Sequence, residues 1–489
     1  MARKGAGHHE RVDASHLSAE DGDGCGNRVF DPSGDLRVPE EPACVPPGGA
    51  AMSPEMLGLV FVCVLSVALF AGFPIAFTLI IMSLVFGYIG FGIRVFDLMV
   101  YQYFSLMEDP LWAAVPLFLF MGLLLEEAGL MERLFKAFQL LLAPVRGSLY
   151  LAVALTAAIF ATATGIVGAS VVLLGVMAAP TMNKCKYDVR MSAGIITAGG
   201  TLGILIPPSV MLVVMGPVVG VSVVDLFAAA ILPGLLLAGL FGGYALVRSR
   251  IQPHIGPALP KEERASSFAF ILWELGRGLI PPAGLVMACL GSILFGWATP
   301  TEGAAMGAFG ACILILAYRR FTWARFYKAG LQTLQVTGMV VFLVGASNFF
   351  GAVFSRLGTP TMITEALVGL GLGPTGIILI VLLLVFILGW PLEWIPIVLI
   401  VIPIVLPVIQ AFEINLVWFS ILVAVCLQTA WLSPPVALAS YWLKGVVPEW
   451  DLKDIYIGML EFMVLQALGT LLLLFFPQIV LWLPSVLAG

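Results

Sequence analysis

The chain carries 489 residues, 60% hydrophobic and 11% charged, with a mean hydropathy of +1.05, a balance that belongs in lipid rather than in water. A formal net charge of −5 leaves no basic footprint for nucleic acid. Three of the 4 histidines (His8, His9 and His16) stand near the start, the 7 cysteines form no CxxC pair, and no HExxH, GxxxxGK(S/T) or GxSxG pattern occurs, so zinc proteolysis, ATP-driven pumping and hydrolase chemistry lack their parts.

Residues 1–51 are rich in Gly, Pro, Asp, Glu and Arg and lack the apolar core of a signal peptide. They read either as a disordered tail or as a start codon set too early, with Met52 or Met56 the true beginning. Beyond them, apolar runs near the length of about 20 residues that a bilayer requires follow one another. They cover 55–72, 75–92, 112–129, 149–163 with 166–180, 192–222, 225–247, 279–297, 302–318, 332–354, 375–388 with 391–409, 417–443 and 456–485. Between them, 131–146 places Leu134, Phe135 and Phe138 on one face, as in a helix lying along a membrane surface, and 319–331 forms a second such arm.

The two halves echo each other. Gly122 and Gly345, Gly165 and Gly389, Pro180 and Pro403, and Pro207 and Pro434 lie 223, 224, 223 and 227 residues apart, a spacing constant enough for an internal duplication. Each repeat reads as a spanning helix, a hairpin turning back at Gly165 or Gly389, and a helix broken at a proline pair. Basic residues including Arg133, Lys136, Arg190, Arg248, Arg277, Arg320, Lys328 and Lys444 fall in connections that the span order puts on one side, the cytoplasm by the positive-inside rule, while Arg94 and Arg356 fall on the other. The repeats then run in opposite directions across the membrane.

This reading gives an all-α polytopic membrane protein with two inverted repeats, re-entrant helical hairpins and Pro-broken helices. Residues 52–110 supply N-terminal scaffold helices, 111–250 the first repeat and 251–277 a cytoplasmic loop. Residues 278–330 give further scaffold helices and the second arm, 331–450 the second repeat, and 451–489 a C-terminal transmembrane helix.

The breaks carry the chemistry. A proline pair strips amide donors from a helix and frees carbonyls at a depth where lipid cannot satisfy them, so such breaks persist where they line a polar cavity. The first hairpin tip, Thr162-Ala163-Thr164-Gly165-Ile166-Val167-Gly168-Ala169-Ser170, and the first break, from Gly199 and Gly200 through Thr201 and Gly203 to Pro207, Pro208 and Ser209, are dense in small and hydroxyl residues. Carbonyl and hydroxyl oxygens are hard ligands suited to sodium, and helix N-termini at the breaks favour a carboxylate. Small residues alone also serve close helix packing in lipid.

The second tip is Gly389-Trp390-Pro391-Leu392-Glu393, and the second break holds Gln428, Thr429, Ser433, Pro434 and Pro435. Glu393, in an apolar stretch, reads as a cation ligand, a proton carrier or an anchor to backbone donors. The compact motif Thr299-Pro300-Thr301-Glu302 reads as a helix cap. Gly168-Ala169-Ser170 lacks the base that a serine nucleophile needs.

Several segments, in order, resemble the large membrane subunit of tripartite ATP-independent periplasmic (TRAP) transporters, the DctM-like family. They are Ala114-Val115-Pro116-Leu117-Phe118, Gly199 to Ser209, Asp225-Leu226-Phe227 with Pro233-Gly234, and Thr299 to Glu302. The likeness covers about residues 53–488 and is nearest the branch labelled mannitol/chloroaromatic compound transport, through Gly165 to Ser170, Leu432 to Pro435 and Tyr441 to Gly445.

That resemblance implies an elevator-type, ion transporter-like secondary transporter with no enzyme activity, in a bacterial inner membrane. It would import an organic acid with sodium as its coupling ion and only metal, and with no cofactor. Its partners would be a small DctQ-like membrane subunit and a DctP-like periplasmic binding protein. By the resemblance a first cation site maps onto Thr164, Gly165, Gly168, Ser170, Gly200, Thr201, Gly203 and Pro207, and a second onto Gly389, Glu393, Gln428, Thr429, Ser433 and Pro434. Ser170, Pro208, Ser209 and Pro435 would face the substrate. The chain departs from relatives at the first tip, at Glu393 where many have Asp, at Ala437 and Ala439, and at Lys186. An autonomous ion-coupled carrier without a binding protein and a channel are the competing readings.

Overall fold

Helix starts follow the local chemistry of capping. In the computed structural model, Ser53 accepts from the Met56 amide ahead of Pro54, and Asp188 and Asn415 cap the two helices that lead into the breaks. The structure describes residues 52–487 except 261–267, 370 and 435, and only the backbone of 161–164 and 268. The expected tail at 1–51 lies outside the described residues, as do Lys261 and Arg264.

The described residues are helical, without a strand. In chain order the helices are α1 (Pro54–Phe70), α2 (Ile75–Phe91), α3 (Arg94–Glu108), α4 (Ala114–Glu127), α5 (Leu130–Leu142), α6 (Ser148–Thr164), α7 (Val167–Lys184), α8 (Val189–Thr201), α9 (Val210–Val219) and α10 (Val223–Ile251). There follow α11 (Phe268–Leu294), α12 (Pro300–Ala317), α13 (Trp323–Arg356), α14 (Thr359–Val368), α15 (Pro374–Gly389), α16 (Trp394–Ala411, with a π turn at Ile397–Val401), α17 (Leu416–Gln428), α18 (Leu438–Val446), α19 (Leu452–Phe475) and α20 (Gln478–Leu487). Among the described residues, 8 helices are long and apolar enough to cross a bilayer, with shorter apolar helices beside them.

Both repeats take the expected form. In the first, α6 and α7 make a hairpin whose turn is Gly165, at φ +61°, and α8 and α9 are separated by a break. In the second, α15 and α16 make the hairpin around Trp390 to Leu392, and α17 and α18 flank the break. Gly165 stands in left-handed backbone that a side chain tolerates poorly, which is why a glycine marks that turn.

Three elements differ from the sequence reading. Residues 94–108, assigned no span, form α3, whose Arg94, Asp97 and Glu108 interrupt its apolar run. The stretch 319–331 is no separate arm: its last turns open α13, a single helix of 34 residues. The C-terminal run 456–485 is divided at Pro477 into α19 and α20. The arm at 131–146 does form an amphipathic helix, α5, with Leu134, Phe135 and Phe138 buried.

The two most extensive helix pairings are α4 with α12 and α8 with α19. The second depends on glycine. A methyl added at Gly458 would strike the Arg190 carbonyl, and one at Gly194 would stand 2.6 Å from the Gly458 carbonyl, so the two backbones run in near contact. The same pair of helices is tied by Arg190 to Asp454 (Nε to Oδ1, 2.8 Å), while α10 meets α19 through Arg248 and Glu461 (Nη1 to Oε2, 2.7 Å), with the Tyr244 hydroxyl also donating to Glu461 at 2.8 Å.

Thr299 caps α12 in a reciprocal box with Glu302: the Glu302 amide donates to Thr299 Oγ1 at 3.2 Å and the Thr299 amide to Glu302 Oε2 at 2.8 Å. Thr301 donates to the Pro110 carbonyl at 3.1 Å, binding the start of α12 to the entrance of α4. At the far end of α4, Glu127 takes both Arg325 (3.5 Å) and Lys328 (2.9 Å), Arg133 lies over the Tyr318 ring, and the Tyr318 hydroxyl donates to the Arg277 carbonyl. Arg133, Arg277, Arg325 and Lys328, assigned to one side by sequence, thus share one neighbourhood.

Candidate functional site: two hairpin tips facing two helix breaks

In the first repeat α8 ends at Thr201, one tight turn covers Leu202–Ile204, and the chain runs irregularly to Ser209 before α9 begins. Every residue from 201 to 210 is buried, and the Pro207–Pro208 bond is cis. Ser209, wholly buried, donates its hydroxyl to the Ile204 carbonyl, so one of the carbonyls released by the break is satisfied from within.

The first tip lies against this break. A methyl on Gly165 would stand 3.8 Å from the Val210 amide and 4.0 Å from the Pro208 carbonyl, and one on Gly200 would meet the backbone of Val171, 3.2 Å from its amide. Ser170 is buried in the first turn of α7. The structure therefore brings Gly165, Ser170, Gly200, Gly203, Pro207, Pro208 and Ser209 into one buried locus. Thr201 is there too, but its side chain is committed elsewhere: its hydroxyl donates to Ala198 (2.8 Å) and accepts from Gln466 (3.0 Å). The side chain of Thr164 lies outside the described residues.

In the second repeat a turn at Thr429–Trp431 opens the break. The second tip meets it at Gly389, where a methyl would come within 3.1 Å of the Ala430 β-carbon. Between them is a cavity of about 20 Å³, walled by Gly389, Trp390 and Glu393 from the tip and by Ala430, Trp431 and Val436 from the break. That volume holds one water-sized species. Glu393, an exposed residue of this tip, stands at the N-cap of α16 without making a capping hydrogen bond and contributes to the cavity lining.

The other second-site residues turn elsewhere. Gln428 Oε1 accepts from Gln466 at 2.6 Å, Thr429 donates to the Cys426 carbonyl at 2.6 Å, and Ser433 donates to the Thr429 carbonyl at 2.6 Å, with the Met463 sulfur 3.2 Å away. These hydroxyls are spent on closing the broken backbone, as Ser209 is in the first repeat. Pro434 is half-buried and Pro435 lies outside the described residues.

Three residues of this region escaped the sequence reading. Gln466 is fully buried in α19 and bonded to both breaks; a lone glutamine in an apolar membrane helix is a signal that would have found it. Trp431 walls the small cavity, and its buried indole nitrogen has no hydrogen-bond partner among the described residues. Trp442, on α18, lies 5.3 Å from Trp431 between ring centroids and covers Gly168 at the first tip. A larger cavity of about 260 Å³ between α1 and the second hairpin is almost wholly apolar, and its one polar lining side chain, Ser66, donates its hydroxyl to the Val62 carbonyl. Among the described residues no three His, Cys, Asp or Glu stand together, so the transition-metal donor set is missing.

The family model described as the tripartite ATP-independent periplasmic transporter, DctM component, matches residues 62–479. The chain is 29% identical to the sialic acid TRAP transporter large permease protein SiaM of Vibrio cholerae, over 86% of this chain and 97% of that one. It is 28% identical to the C4-dicarboxylate TRAP transporter large permease protein DctM of Pseudomonas aeruginosa, over 78% and 88%. Among solved structures, the Alcanivorax borkumensis YdaH transporter matches with a TM-score of 0.60 at 15% identity, covering 87% of this chain and 98% of that one, a likeness of fold.

Proposed function

The chain belongs to the DctM component family of tripartite ATP-independent periplasmic transporters, and we propose that within such a system it carries an organic acid inward across the membrane, driven by sodium, by an elevator movement. It is a large permease subunit in the bacterial inner membrane, and the tripartite arrangement gives it a small membrane subunit and a periplasmic binding protein as partners.

The observation that carries the sodium reading is the pairing of each hairpin tip with a helix break. At the second pair a cavity of single-ion size has Glu393 among its lining residues. At the first, Gly165 brings the hairpin turn to the Pro208 carbonyl and Gly200 lets the end of α8 lie against the backbone of Val171, beside the segment interrupted by the proline pair. Sodium favours such hard oxygen ligands, and glycine permits the close approach they need.

An organic acid fits the same architecture. The names of the two relatives above specify a sialic acid and a C4-dicarboxylate, both acids. The first turns of α9 and α18, which start just past the proline pairs, have no side-chain cap, and a helix N-terminus of this kind suits a carboxylate. Ser170, Pro208, Ser209 and Pro435 are assigned here to the substrate side of the breaks. The elevator reading follows from the repeats: tips and breaks of both halves, joined through α19, move as one body past α1–α4 and α11–α14.

The test is uptake into proteoliposomes of this chain co-purified with its small membrane subunit, using a panel of organic acids, with and without the binding protein and a sodium gradient. Accumulation that requires both supports the proposal. Sodium-driven uptake without the binding protein establishes an autonomous carrier, and loss of gradient dependence overturns sodium coupling.

A further inference from the structure

Building on the sodium-coupled reading above, we infer that Gln466 is a positioning residue that couples the two helix breaks, so that occupancy at one changes ion affinity at the other. Gln466 is fully buried in the apolar helix α19. Its Nε2 donates to Thr201 Oγ1 at 3.0 Å and to Gln428 Oε1 at 2.6 Å.

Those partners occupy equivalent places. Thr201 is the last residue of α8 before the first break, and Gln428 the last of α17 before the second. They lie 227 residues apart, the offset that also separates Pro207 from Pro434. One amide group thus spends both of its hydrogens at corresponding points of the two repeats. In this arrangement the Thr201 hydroxyl gives its own proton to the Ala198 carbonyl and accepts from Gln466.

The bridge is only part-satisfied. Gln466 Oε1 and Gln428 Nε2 are both buried without a hydrogen-bond partner among the described residues. A network holding a spare acceptor and a spare donor can re-pair by rotating an amide when either break shifts, which makes it responsive where a saturated network would be rigid. The rest of α19 is clamped to α8 through Gly458 and Gly194, and Met463 touches Ser433 in the second break. A displacement of the first break therefore reaches the second along a continuous set of contacts, with Gln466 the hydrogen-bonded link. The group is neutral, so the coupling does not depend on pH.

The test has two arms, both on the chain reconstituted with its small subunit. In the first, sodium dependence of uptake is compared between the wild type and Gln466→Met, which keeps volume but makes no such hydrogen bonds. The expected result is a Hill coefficient falling from about 2 to about 1 and a half-saturating sodium concentration rising about tenfold. A variant with lowered melting temperature and an unchanged Hill coefficient would give Gln466 a merely structural role and overturn the inference.

The second arm needs no sodium. Melting temperatures of Thr201→Val, Gln428→Leu and the double variant are measured twice, once with Gln466 intact and once in chains that also carry Gln466→Met. The expected result is non-additivity only where Gln466 is present. Additivity in both backgrounds overturns the bridge, whereas non-additivity in a protein whose uptake ignores sodium retains the bridge and removes the sodium reading.

Discussion

The indole of Trp442 lies across Gly168: a methyl added to that glycine would stand 3.1 Å from two ring atoms and 3.3 Å from a third. Trp442 is on α18, past the second break, and Gly168 is in the first turn of α7, within the first hairpin tip. With Trp431 behind it, tilted by 35° at 5.3 Å between ring centroids, the two repeats meet through a pair of indoles as well as through Gln466. Gly168→Ala forces the ring to give by a few tenths of an ångström, and Gly168→Leu displaces it. The larger variant is expected to insert normally and lose uptake by about 100-fold, since small misplacements of a binding group carry that cost. Full uptake by Gly168→Leu would show that this contact is slack.

At the second tip, Glu393→Gln keeps the size of the side chain and removes its charge from the wall of the 20 Å³ cavity. Sodium titration of uptake is expected to show about a tenfold weaker half-saturation, equivalent to about 1.4 kcal/mol. An identical sodium curve would remove Glu393 from the ion site.

In the first break, Gly203→Trp places an indole in a fully buried turn, and Pro207→Ala restores an amide donor where the helix is interrupted. Both variants are expected in the membrane at wild-type abundance with uptake at background. Normal uptake by either would count against the assignment of the site.

Loss of the capping box separates stability from transport. Thr299→Val removes the acceptor for the Glu302 amide and is expected to cost about 1 kcal/mol. The melting temperature should fall while the sodium and substrate half-saturation values stay put. A changed sodium dependence would tie α12 to the ion sites.

Helix packing gives a further check. Gly458→Ala drives a methyl into the Arg190 carbonyl across the α8–α19 contact. Overpacking of this kind costs about 1–3 kcal/mol, read as a lower melting temperature. Wild-type stability would mean that the helices part easily.

The sequence alone carried the two-repeat plan, because its markers act locally. Gly165 and Gly389 sit where the chain turns back, and the proline pairs at 207–208 and 434–435 interrupt the ladder whatever surrounds them. Capping at Thr299 was legible for the same reason. Local pattern failed where length or neighbours decide: α3 has too many charged residues to read as a span, and 319–331 reads as an arm because the continuity of its last turns with the rest of α13 is set by packing. Side-chain direction was also beyond reach. Gln428, Thr429 and Ser433 look like ligands in a string of polar residues, yet their side chains bond to Gln466, Cys426 and Thr429, while Ala430 and Trp431 form the cavity wall. Which of two faces a polar group presents, and that a glutamine 38 residues further on closes the gap between the repeats, depends on how α8, α17 and α19 come together, because a hydrogen bond between distant segments exists only once packing has brought its donor within about 3 Å of its acceptor.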